Sequence, residues 1–174
     1  MLKRFILLAL LLTQVALAAP KTYHDEANGY QITYEGSGIN WTPSRAGDEM
    51  WNIEYVNGDA YYNLHMAISP TTKSDPKDVC QDMCWKISQT AKSITTVSEV
   101  KVLSGLYGFT FDSVKDAQDD HGRWGSVKCK SCGYVVLNQP RHKAYMFFAT
   151  TYPEQFAVMK PRWEKIISTL RFDP

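Results

Sequence analysis

No stretch of this 174-residue sequence holds the roughly 20 consecutive apolar residues that a membrane-spanning helix requires. The longest apolar run, Phe5 to Leu12, stops at Thr13 and Gln14, so no stable membrane insertion is expected. An excess of charge is missing too, with 19 Lys and Arg against 18 Asp and Glu. A nucleic-acid binder carries a basic stripe and a binder of anionic lipid a polybasic cluster, so neither partner is expected. There is no Gly-x-Ser-x-Gly elbow, phosphate loop or His-Glu-x-x-His pair, and no catalytic residue is assigned. Internal repeats and low-complexity tracts are absent as well. Cysteine is scarce, at four residues, and the four histidines, His24, His65, His121 and His142, have no ligand spacing.

The N-terminus carries a positive signal. Lys3 and Arg4 precede the apolar run, and Ala16 and Ala18 then supply positions −3 and −1 of a cleavage site, the order of an export signal. Residues 1–18 are read as a signal peptide and 19–174 as one domain, soluble and either periplasmic or secreted. Because Ala19 rather than Cys follows the cut, no lipid anchor is expected. Without Lys3 and Arg4, 17 basic residues face 18 acidic ones, a formal charge of −1.

Period and turn chemistry predict an α+β fold. Asn28-Gly29 precedes the alternating Tyr30, Ile32, Tyr34, a half-buried strand. Trp51 to Val56 and Tyr62 to Ile68 flank Asn57-Gly58-Asp59, a hairpin signal. Asp75 and Pro76 begin a helix reaching to about Lys92, since aspartate suits the cap and proline the first turn. Its apolar row is Val79, Met83, Ile87 and Ala91. Strands are expected at 100–103, 107–114, 124–129, 133–137 and 143–152, with acidic Asp116 to Gly122 as one of the turns. Pro153 opens a turn, and Pro161 restarts a closing helix whose buried face is Trp163, Ile166, Ile167 and Leu170. The predicted architecture is a central antiparallel β-sheet with both helices packed on it.

In its order of elements and in Glu154, Phe156, Trp163, Ile167, Ser168, Leu170 and Phe172, the chain resembles a superfamily of α/β/α sandwiches. That superfamily holds the photosystem II extrinsic subunit PsbP, a Ran-binding nuclear import factor and DcrB-type bacterial envelope proteins. The resemblance spans nearly the whole mature chain and implies a PsbP-like sandwich acting as an accessory or binding protein. It implies no shared active site.

The four cysteines are where chemistry of this chain's own is expected. Cys80 and Cys84 lie one helical turn apart, and Cys129-Lys130-Ser131-Cys132-Gly133 reads as a tight turn like the knuckle of a zinc ribbon. Helical residues four apart have Cβ atoms about 5 to 6 Å apart, too far for the about 3.5 to 4.5 Å of a disulfide, so no bridge within the helix is expected. Two readings then bring the turn to the helix. Either two disulfides join them, as export favours, or the four thiolates hold a structural zinc ion. A redox-active CxxC is the third option. The function expected is that of an exported, non-enzymatic binding or accessory protein with a four-cysteine structural centre. The alternative is a zinc-handling or thiol-redox protein of the cell envelope using both pairs. Its partner is an unidentified protein or small ligand.

Three smaller expectations complete the reading. On an alternating strand Met66 faces the core and His65 the surface. Asp116, Asp119 and Asp120 form a solvated turn rather than a cation site. Trp41, Trp51, Tyr61, Tyr62 and Trp124 belong to an aromatic core rather than a ligand groove.

Overall fold

The computed structural model describes residues 19–34, 39–43, 49–57, 60–91, 93–118 and 122–174. Residues 1–18, expected from the sequence to be a signal peptide, therefore lie outside the described residues. So do the side chains of Trp41, Trp51, Tyr61 and Tyr62, and the calls on Asp119, Asp120 and His121.

The predicted hairpin is present and longer than its two apolar cores. β4 (Glu49–Asn57) pairs antiparallel with β5 (Ala60–Pro70), with Asn57 opposite Ala60. An antiparallel sheet of eight strands grows around it. β3 (Ile39–Pro43) lies outside β4, β10 (Lys143–Thr151) follows β5, and β9 (Trp124–Asn138) and β8 (Tyr107–Gln118) come next. The two-residue strands β6 (Ser93–Ile94) and β7 (Ser98–Glu99) both pair with β8. A separate small sheet contains β1 (Lys21–Asp25), β2 (Tyr30–Tyr34) and β11 (Arg171–Phe172).

The large sheet separates two apolar clusters because strand side chains alternate between faces. Helix α1 (Pro76–Ser88) covers one face, where Cys80, Met83, Phe109 and Val135 are buried together. Helix α2 (Phe156–Ile167) and the small sheet cover the other, where Met159, Trp163 and Ile167 meet Tyr30, Ile32, Leu64, Met66, Tyr134, Tyr145 and Phe147. The α+β sandwich expected from the sequence is thus observed, with one helix on each face.

The local signals explain the helix starts. At α1 the Asp75 carboxylate accepts the Lys77 N–H at 2.8 Å, and Pro76 fills a position whose N–H would have no partner. Pro153 likewise opens a single 3-10 turn, Pro153–Gln155, that runs directly into α2. Pro161 does not restart the helix, as the sequence suggested, because α2 is continuous from Phe156. Pro161 is exposed, as is Ala157 one turn before it, so water can serve the carbonyl that loses its bond.

Two further expectations are corrected. Residues 100–103 are not a strand; the chain turns at 101–105 around Gly105, whose φ of 72° closes the loop. Val100 and Leu103 still pack on the α2-side cluster, so their apolar character reflects burial rather than strand pairing. Strands 124–129 and 133–137 are one continuous strand, with a consequence for the cysteines described below. The strand β1 was not anticipated, and it pairs along its whole length with β2.

The connection between β1 and β2 is anchored to the large sheet. Asn28 accepts the Tyr145 hydroxyl on its backbone oxygen at 2.7 Å and the Lys143 ammonium on its side chain. Its own side-chain amide donates to Asp25 at 2.9 Å. Next to it Gly29 has φ 69°, so glycine is required by conformation; a Cβ there would come within 2.2 Å of the Arg141 guanidinium carbon, the mobile end of a side chain that can swing aside.

Candidate functional site

The closeness of α1 to the sheet is set at Gly133. A Cβ at that position would lie 2.8 Å from the Phe109 ring and 2.9 Å from Met83 Cε. Its φ is not in the left-handed region, so the glycine marks a close approach of helix to strand and not a turn. This corrects the expected turn at 129–132. The ladders with β8 and β10 run through it without interruption, Cys129 opposite Ser113 and Cys132 opposite Ala149.

A regular strand sends residues three apart to opposite faces. Cys132 lies with Tyr134 and Val136 in the cluster under α2, whereas Cys80 belongs to the cluster under α1. Cys129 takes the parity of Gly133 and Val135, which is the α1 side. The sheet therefore stands between Cys132 and the other three. Among the described residues, no three of His, Cys, Asp and Glu sit close enough to share a metal ion. All four cysteines are free thiols.

Each thiol has its own surroundings. Cys80 is fully buried, and burial together with the neighbouring Cys84 pushes its pKa up to about 12. Cys84 is half-buried and packs on the same cluster, with its pKa raised by burial. Cys129 is raised by burial too, against the opposing pull of Lys115. Cys132 is fully buried and pushed up to about 12 by desolvation, despite a hydrogen bond with Tyr134. Tyr134 donates to Glu164 Oε1 at 3.0 Å, and the Lys160 ammonium pairs with the same oxygen. Burial raises the Tyr134 phenol above its ordinary range as well. The network is closed on itself: hydroxyl, carboxylate and ammonium satisfy one another under α2.

Nucleophilic and redox thiols act as thiolates and sit where the pKa is lowered. These four are all shifted the other way. A shift from about 9 to about 12 lowers the thiolate fraction near neutral pH about a thousandfold. In the native protein Cys84 should therefore be alkylated first and Cys80 and Cys132 only on unfolding. Peptide mass mapping over a time course of iodoacetamide checks this, and early labelling of Cys132 would contradict the geometry.

Met66 is fully buried and His65 half-buried, as strand alternation requires. Trp124 departs from expectation: it is 72% exposed and so is not part of the core. It sits on a part of the structure that the sequence did not single out. β10 pairs with β9 only from Lys130 onward, and β6 and β7 reach β8 no further than Asp112. Beyond those points β8 and β9 continue as a two-stranded ribbon, with Ser113 to Gln118 opposite Trp124 to Cys129 and no further strand on either side among the described residues. Val114, 51% exposed, and Trp124 take the same parity and share one face of it. Elsewhere, a cavity of about 200 Å³ lies between the β5–α1 connection and the β9–β10 turn. Lys73, which lines it, is paired with Asp82.

An antiparallel sheet held between α1 on one side and α2 with a small sheet on the other defines a PsbP-like α+β fold. The chain is similar along most of its length to the solution structure of cyanobacterial PsbP (CyanoP) from Synechocystis sp. PCC 6803, with a TM-score of 0.53 at 16% identity, covering 91% of this chain and 95% of that one. At that identity the likeness carries the fold. No family model matches the chain, and no curated protein does.

Proposed function

We propose that the chain is an exported accessory protein that binds a protein partner through the β8–β9 ribbon. The observation that carries the reading is the exposure of Trp124 and Val114 on an arm whose outer strand edges have no neighbour among the described residues. Tryptophan is over-represented among residues that dominate interface energies, and an unpaired edge offers N–H and C=O groups to an incoming strand. Maintaining such a surface in a folded chain has a cost, since open edges invite aggregation. Exposed Lys115, Asp116 and Lys128 along the ribbon reduce that hazard. The export signal supports an envelope or extracellular setting, and the PsbP-like fold is compatible with a role in binding.

The test is co-purification from the native compartment. Tagged mature protein should retain a partner that a Trp124→Ala, Val114→Ser variant loses, while both melt at the same temperature. Exposed side chains contribute within about 0.5 kcal/mol to stability, so folding does not confound the comparison. The same set of captured proteins with both would sink the reading.

A further inference from the structure

Helix α1 carries the sequence Cys80-Gln81-Asp82-Met83-Cys84, and its sheet-facing side gathers more sulfur than the zinc reading considered. Cys80 and Met83 are buried, Cys84 packs on the same cluster, and so does Met146 from β10, the cross-strand partner of Val135. Cys84, one helical turn on, is near enough to add to the cost of charging Cys80. We propose that Cys80 and Cys84, with Met83 and Met146 as neighbouring thioethers, form a binding site for a soft monovalent metal ion such as copper(I) or silver(I).

The argument is one of donor type and number. Thiolate and thioether sulfur select soft ions. Zinc in structural sites takes four thiolate, imidazole or carboxylate ligands, and among the described residues no third residue of those kinds stands close enough to join the pair. Side chains four apart on a helix have Cβ atoms about 5 to 6 Å apart. That spacing is strained for an S–S bond, but an ion can sit between the two sulfurs. On binding, each thiol gives up its proton and forms one sulfur–metal bond, so one monovalent cation replaces two protons and leaves one negative charge. The apolar surroundings that keep the thiols protonated also exclude the hard cations that prefer oxygen. The proposal does not depend on the ribbon, which lies elsewhere on the sheet.

The probe is silver(I), which needs no redox control, added to the mature reduced chain in chloride-free buffer. Native mass spectrometry should find one silver ion per chain, retained in the presence of excess zinc(II). Loss of the ion is expected in Cys84→Ser, whose half-buried side chain can change without unfolding the helix, and in Cys80→Ser. Retention is expected in Cys132→Ser, whose sulfur lies across the sheet. Met83→Leu and Met146→Leu conserve volume and should each lower the affinity. Stoichiometric silver in the Cys80→Ser, Cys84→Ser double variant, its loss in folded Cys132→Ser, or no uptake by the wild type would overturn the site. Unchanged affinity in both methionine variants would overturn the thioether part.

Discussion

Replacing Trp163 by Ala should cost about 3 to 5 kcal/mol, the range for removing a large aromatic side chain from a packed core. Folded domains of ordinary stability hold about 5 to 15 kcal/mol in total, so the variant should be largely unfolded at moderate denaturant concentrations. The size of the effect follows from position. Trp163 is fully buried on α2, packs edge-on to Phe156 with ring centroids 6.1 Å apart, and belongs to the cluster that joins α2 to both sheets. Emptying its volume weakens three contacts at once: helix to large sheet, helix to small sheet, and helix to its own first turn. Trp163→Phe should behave differently. The indole N–H is buried without an acceptor, and a buried unpaired donor already costs about 1 to 3 kcal/mol. Phenylalanine removes that penalty while losing some volume, so a much smaller change is expected. Urea unfolding of the three proteins checks the order, and equal losses in the Ala and Phe variants would contradict both the relief of the unpaired N–H and the packing that phenylalanine retains.

The second large effect is alkaline unfolding. Burial raises the Cys80 and Cys132 thiols to about 12 and the Tyr145 phenol also to about 12, from ordinary values of 9 and 10. The folded state thus holds protons that the unfolded chain gives up. Stability from these groups is fully present below pH 9 and is lost as pH rises toward 12. Each thiol removes about 1.4 kcal/mol per pH unit within that window, with Tyr145 adding its share from pH 10 and Tyr134 acting in the same direction. Chemical denaturation midpoints should fall steeply between pH 9 and 11 and be nearly flat between pH 7 and 8.5. A Cys80→Ala, Cys132→Ala chain starts less stable but should lose stability more slowly with pH. Parallel curves for the two proteins would contradict the burial of these thiols.

The partial legibility of the candidate site has a specific cause. Cys129 and Cys132, with Lys, Ser and Gly among them, have the composition of a turn, and local composition favoured that reading. Gly133 decided otherwise. It serves a contact with Met83 and Phe109, two residues distant in sequence, and no local signal separates a glycine needed for space from one needed for φ. Once the strand is continuous, its period of two sends the two sulfurs to opposite faces. The same limit applies to Trp124. A tryptophan in an alternating strand reads as core, but whether a third strand lies beside it is decided where β10 ends.

What the amino-acid order determined by itself is the local chemistry: an aspartate and proline that begin α1, apolar periods that make Tyr30 to Tyr34 a strand and Trp163 to Ile167 a buried helix face, and an asparagine-glycine step between strands. These depend on neighbours within a few residues, and backbone geometry repeats faithfully over such distances. Only the tertiary structure decided which face each cysteine takes, that the two helices lie on opposite sides of one sheet, and that a pair of strands runs past its neighbours to expose an arm. Those outcomes depend on register and on where pairing stops, quantities set by packing among elements far apart in the chain.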